Sequence, residues 1–223
     1  VWHIRRYPSC DGGGQRVAPF CVGIKHRVIH VSFVYQIFFR VRIAMDIVMR
    51  NYIAAADYGE VYRLFTDFSV NRFIICKPDH NSMGVFAKWL DGKMEREFND
   101  FMVFYTVADE FIGFAYSYEF QPLNGHCLFT VAVKEKFQNT GFGGFISVKF
   151  LKYLFENYNL RKVYTHVYSS NEHSLQCVEA FGFSKEGVLR EYKFLSGKFD
   201  DLVILSLKRE EFVAKITELG SVK

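Results

Sequence analysis

Several common chemistries are missing from this chain. Its five cysteines (Cys10, Cys21, Cys76, Cys127 and Cys177) form no C-x-x-C pair, and no histidine pair stands at zinc-ligand spacing, so neither a zinc site nor a dithiol redox centre is expected. Scattered thiols of this kind predict a reduced, cytoplasmic protein. Charge of one sign is also scarce where it would matter. Residues 1–44 hold seven lysines and arginines against Asp11 alone, which leaves the remainder of the +4 chain net negative. The main body therefore offers no nucleic-acid-binding surface. The apolar stretch from Val28 to Phe39 falls short of the ~20 residues a membrane helix needs, and no small-residue cleavage site follows it, so no membrane partner is expected. There are no internal repeats and no low-complexity tracts.

The chain does have a large apolar and aromatic content: half of its residues are hydrophobic and 18% are aromatic. That is enough to build a core in 223 residues and excludes disorder as a description of the whole. Residues 1–44 stand apart as a basic N-terminal extension, strand-like or not part of the native protein, with Met45 or Met49 as a natural start. A single domain is expected over 45–223.

Hydrophobic periodicity orders that domain. A strand is expected from Ile47 to Ala54, followed by a helix from Tyr58 to Asp67 capped by Asp57, with Val61, Leu64, Phe65 and Phe68 inward. A second helix is expected over Ser82 to Phe98, with Val85, Phe86, Trp89, Leu90 and Met94 inward and Asp91-Gly92 as a point of interruption. Two aromatic runs joined at Asp109-Glu110 read as a hairpin. A strand from Leu128 to Val133 then meets the glycine-rich turn Gln138 to Gly144, and a helix follows with Ile146, Phe150, Leu151, Leu154, Phe155 and Tyr158 on one face. A strand from Val163 to Tyr168, a helix from Glu172 to Phe181 capped by Asn171, and a C-terminal hairpin around Ser196-Gly197-Lys198 complete the pattern. The expected class is α/β (α+β): a mixed, mostly antiparallel twisted sheet with helices on both faces.

A glycine-rich turn between strand and helix aims backbone N–H groups and the positive end of the helix dipole at one point, which suits a phosphate or pyrophosphate. The turn is not a Walker A loop, because Phe145 stands where Gly-Lys-Ser/Thr would continue. Nor is it a dinucleotide fingerprint, because Ile146 occupies the third glycine position. What remains is Q-x-x-G-x-G, carried by Gln138, Gly141 and Gly143. Asn171 and Ser174 open the next helix, Gly182-Phe183 ends it, and Glu186-Gly187, Arg190, Gly197 and Asp200 or Asp201 follow.

This set resembles the Gcn5-related N-acetyltransferase (GNAT) family over about residues 45–210. It is most similar to the subgroup that acetylates ribosomal-protein N-termini, polyamines and amino sugars. The resemblance implies acetyl-CoA as co-substrate, no metal, and direct attack by a primary amine of a small molecule or a peptide N-terminus. It also implies that Val131 and Val133 offer backbone groups to pantetheine. The N–H groups of Asn139, Thr140, Gly141, Phe142, Gly143 and Gly144 would hold the pyrophosphate, with Gln138 at its rim, and Asn171 and Ser174 would meet the thiol end. Many relatives protonate the departing thiolate with a tyrosine four residues before the Gly-Phe pair, where this chain has Val178. Candidates for proton transfer are Glu119, His126 and Ser174. Cys127 reads as a small buried residue, His166 as a satisfied core or cleft residue, and Tyr116 and Tyr118 as packing on the sheet. The missing tyrosine keeps a second reading open, a catalytically weak or inactive acyl-CoA-binding module. Exposed edges of the C-terminal hairpin suggest a homodimer.

Overall fold

The computed structural model describes residues 47–78, 82–95, 99–195 and 197–220. The expectations for the N-terminal extension, and for Ser196 in the last turn, lie outside these residues. The elements run β1 (Ile47–Asn51), α1 (Ala54–Thr66), α2 (Phe68–Asn71), α3 (Met83–Met94), β2 (Phe101–Thr106), β3 (Phe111–Gln121) and β4 (His126–Val133). They continue with α4 (Phe142–Asn157), β5 (Lys162–Tyr168), α5 (Glu172–Phe181), β6 (Ser184–Leu195), β7 (Lys198–Lys208) and α6 (Arg209–Gly220).

One seven-stranded sheet has the order β1-β2-β3-β4-β5-β7-β6. Every neighbouring pair is antiparallel except β4 and β5. Two apolar clusters cover its faces. Ile146, Phe150, Leu151 and Leu154 of α4 pack with Phe129, Val163 and Val167 on one side. Val61, Leu64 and Phe65 of α1 and Phe86 and Leu90 of α3 pack with Phe114, Tyr116 and Leu128 on the other. With helices on both faces, β3 is buried from Phe111 through Tyr118 without alternation, as expected for a strand covered on both sides. Gly113 is required there: a Cβ would lie 2.1 Å from the carbonyl oxygen of Ala132 on β4.

The expected elements are present, with local corrections. The first helix begins at Ala54 rather than Tyr58, so β1 ends at Asn51 and Asp57 is not the cap. Asp57 lies one turn inside, fully buried, and accepts hydrogen bonds from the N–H of Ile53 (2.7 Å), the Arg50 guanidinium (2.6 and 2.7 Å) and the Tyr105 hydroxyl (2.7 Å). Burial alone would raise its pKa, but these donors outweigh it and hold the carboxyl below its ordinary value. Phe68 is outside the core because the chain turns at Asp67, which caps α2 through the N–H of Ser69 (2.8 Å). Val85 and Met94 are exposed, since α3 buries the narrower stripe of Phe86 and Leu90. Asp91-Gly92 does not interrupt that helix. Tyr158 leaves α4 in an extended conformation as its C-cap.

Candidate active site

β4 and β5 are hydrogen-bonded neighbours only at His126↔Lys162, Cys127↔Val163 and Leu128↔Tyr164. Beyond Leu128 the two strands part, and a wedge opens in the middle of the sheet. The Lys134 N–H donates to the Ile112 carbonyl at 2.9 Å. Even-numbered residues of β4 therefore turn their backbone groups toward β3, and the odd-numbered Phe129, Val131 and Val133 turn theirs toward the wedge. A cleft of about 720 Å³ fills the opening, lined by Phe129–Val133, the Gln138–Gly141 turn, Gly143, Gly144 and Thr165–Val167, together with Arg72–Ile75.

The turn between β4 and α4 has the backbone of an anion cradle. Asn139 and Gly141 take positive φ (57° and 95°), and Gly141, as the N-cap, brings no side chain to the first turn of α4. The orphan N–H groups of that turn are left for a ligand at the positive end of a 16-residue helix. The Gln138 Nε2 donates to the Val133 carbonyl at 3.2 Å, and the Thr140 hydroxyl to the Phe137 carbonyl at 2.6 Å. These bonds fix the turn to the end of β4. The Phe142 ring packs on Phe137 at 4.9 Å and turns away from the cleft, so only its backbone can serve a ligand.

Asn171 and Ser174 both line the cleft, and the Asn171 Oδ1 accepts from the Ser174 N–H at 3.4 Å. The loop that delivers them is anchored by Asp200, a buried carboxylate that accepts from both hydroxyls of Ser169 and Ser170 and from the Ser170 N–H (3.1 Å). Burial would raise the Asp200 pKa, and the serine hydrogen bonds hold it below the ordinary range. Val178, at the position where many relatives have tyrosine, also faces the cleft.

The proton-transfer candidates are placed differently from one another. Ser174 is in the cleft; Glu119 and His126 are not among its lining residues. His126 starts β4 at the closed end of the wedge, edge-on to Tyr164 at 5.4 Å, with a buried Nδ1 that has no protein partner among the described residues. Cys127 is buried, and burial pushes its thiol pKa up to about 12, which excludes it as a base at neutral pH. Tyr116 and Tyr118 are buried on the sheet as expected; the Tyr116 hydroxyl donates to the Cys76 carbonyl at 2.6 Å.

His166, read from sequence as a core or cleft residue, lines the cleft. It lies two residues past the last β4–β5 pair, where the wedge opens. Strand alternation puts it with Tyr164, on the sheet face opposite α4. Burial lowers its pKa, and the charge of Glu119 partly offsets that. Glu119 sits on the irregular end of β3, where the register shifts between Tyr118 and Gln121 and its own φ is 49°. The available signal in the sequence was this alternation, which becomes usable only once the last paired residue is known.

The Acetyltransferase (GNAT) domain matches residues 51–204 of this chain. The SPbeta prophage-derived uncharacterized N-acetyltransferase YokL of Bacillus subtilis is 29% identical over 56% of this chain and 70% of its own length. The spermidine N(1)-acetyltransferase of Vibrio cholerae is 25% identical over 58% of this chain and 72% of its own. Among solved structures, spermidine N-acetyltransferase from Vibrio cholerae in complex with CoA and spermine superposes with a TM-score of 0.70. That match has 20% identity and covers 75% of this chain and 98% of the other. The wedge, the cradle and these likenesses agree: the chain belongs to the GNAT acetyltransferases, N-acetyltransferases that use acetyl-CoA as co-substrate.

Proposed function

We propose that this chain moves the acetyl group of acetyl-CoA to a primary amine of a small molecule, an amino sugar or a protein N-terminus, by direct attack. The parted strands carry this reading, because a pantetheine arm can lie along the odd-numbered backbone groups of β4 as an added strand. The pyrophosphate then reaches the first-turn N–H groups of α4. The thioester carbonyl falls near Val131, whose N–H can meet the negative charge that develops on its oxygen. Asn171 and Ser174 hold the sulfur end.

The amine approaches from the opposite face of the sheet, where His166 is the proton acceptor in the cleft. An imidazole whose pKa is lowered by burial is neutral near pH 7 and able to take the proton. Glu119, outside the cleft lining, acts on it through charge and draws a cationic amine toward it. Ser174 is the candidate for returning a proton to the thiolate in place of the absent tyrosine. We place the reaction in the cytoplasm, in keeping with the free thiols of Cys76, Cys127 and Cys177, and assign the outer edge of β6 to a second copy of the chain.

Release of free CoA thiol by the purified chain, with acetyl-CoA and a panel of primary amines, tests the reading. Amine-dependent release supports it. Thermal stabilisation by acetyl-CoA with no release for any amine would instead establish the binding-module alternative, which Val178 favours.

A further inference from the structure

Of the described cysteines, Cys177 lines the cleft. It sits half-buried on α5, three residues beyond Ser174, and both face the same space. Residues three apart on a helix are neighbours, with Cβ atoms about 5–6 Å apart. His173 also lines the cleft and brings its Nε2 to 3.6 Å from the Cys177 sulfur. The thiol is therefore paired with a ring nitrogen that can take its proton. The other described cysteines are placed otherwise. Cys127 is fully buried, with its thiol pKa pushed up to about 12. The Cys76 sulfur accepts from the Lys93 ammonium at 2.9 Å and is outside the cleft lining.

The co-substrate of this cleft ends in a thiol once its acetyl group has left. In the seating proposed above, that sulfur lies against Asn171 and Ser174, one helical turn from Cys177. Leu175, Val178 and Phe181 pack α5 on the same apolar cluster as α4, so Cys177 meets the sulfur from the α4 face. The amine enters from the opposite face. Thiol–disulfide exchange is attack on one sulfur with departure of the other, and a group leaving the CoA sulfur here departs toward that open face. A disulfide within a protein needs two backbone positions at a set separation. A flexible pantetheine arm relaxes that demand, because only the Cys177 side is fixed.

Resting on that seating of the cofactor, we propose that Cys177 is a covalent modification site for CoA, forming a mixed disulfide with the CoA sulfur by exchange with CoA disulfide. The Cys177 thiolate attacks the sulfur of the seated CoA half, and the S–S bond of CoA disulfide breaks as the new one forms. The released half leaves as a thiolate and takes up the proton that His173 removed. The Cys177 sulfur is oxidised and the released CoA is reduced, so no further oxidant enters. The adduct fills the space that acetyl-CoA needs and stops acetyl transfer until a thiol reductant removes it.

The test treats the reduced full chain with CoA disulfide and, in parallel, with glutathione disulfide at the same concentration. Intact mass and peptide mapping read the adducts. The expected result is one CoA on Cys177, formed at least about tenfold faster than any glutathione adduct, because binding concentrates the reagent at the thiol. Saturating acetyl-CoA should protect the site, and dithiothreitol should reverse the adduct and restore acetyl-CoA binding. Cys177→Ser should remove the adduct with its thermal midpoint retained. Burial raises the Cys177 pKa, so the rate should keep climbing with pH beyond the ordinary thiol range, since the thiolate is the nucleophile. An adduct on another cysteine, equal rates with glutathione disulfide, or no protection by acetyl-CoA would overturn the proposal. Calorimetric titration of CoA into the reduced chain keeps its failure apart from that of the proposed function. CoA binding without an adduct removes the thiol site and leaves acetyl transfer standing. An adduct with no amine acetylated retains the thiol site while acetyl transfer fails; no CoA binding removes both.

Discussion

The two halves of the cleft are built from different materials. The cofactor half is backbone: the wedge-facing groups of β4, the positive-φ positions Asn139 and Gly141, and the uncapped first turn of α4, all within one continuous stretch from Phe129 to Gly144. The amine half is side chains from separate places: Arg72 after α2 and His166 on β5 line it, and the charge of Glu119, at the end of β3 and outside the lining, acts on His166. Backbone cradles depend on a few glycines and tolerate most neighbours. A side-chain pocket can be rebuilt one residue at a time, so acceptor choice is free to vary while cofactor handling is not.

The largest effect should separate the halves cleanly. His166→Ala is expected to lower kcat by ~10²–10⁴-fold, the usual contribution of a proton acceptor, without changing the affinity for acetyl-CoA. Steady-state kinetics alongside direct acetyl-CoA titration would show this. A loss of acetyl-CoA affinity instead would put His166 in the cofactor half and break the division.

Asp57 sharpens the comparison in stability. It ties the start of α1 to Arg50 of β1 and to Tyr105 of β2, on the sheet face that α1 and α3 cover. Asp57→Ala leaves the guanidinium without its partner and should cost about 3 kcal/mol, visible as a lower chemical-denaturation midpoint at pH 7. Because the folded pKa of Asp57 is depressed, its contribution is fully present above the ordinary carboxylate range and fades as pH falls through the folded value. The deficit of the variant should therefore shrink in acid. A deficit that is the same at all pH values would mean the pair contributes packing alone.

This division also explains what could be read from the chain. The cradle was legible because contiguous glycines, Asn171 and Gly182-Phe183 dictate backbone shape locally. The sheet, the hairpins and the α5 cap were legible for the same reason. Asp57 misled because an acid just before an apolar stripe looks like a cap, and only the fold shows that it reaches back to Ile53 and across to Tyr105. Whether His166 belonged to the core or to the cleft could not be read from the chain, because that depends on where β4 and β5 stop pairing, at Leu128↔Tyr164. The strand order was hidden too, since β7 comes between β5 and β6 in the sheet.

Gly141→Ala probes the cofactor half by itself. A side chain at φ 95° costs roughly 1–2 kcal/mol, and a Cβ crowds the anion's approach. Weakening of acetyl-CoA binding by about tenfold is expected, with kcat at saturation and the amine preference retained. A change in amine preference would mean the halves are coupled through α4.

The smallest effect is a displacement along the pH axis. Burial already sets the His166 pKa below its ordinary 6.5, and the Glu119 carboxylate pulls it partly back by stabilising the imidazolium. Glu119→Gln removes that support, so the acid limb of the kcat/KM profile should move to lower pH while the plateau above it changes little. If Glu119 is instead the group that takes the proton, the same substitution lowers the plateau by ~10²–10⁴-fold. The side-chain half of the cleft would then have its proton acceptor on β3 rather than on β5.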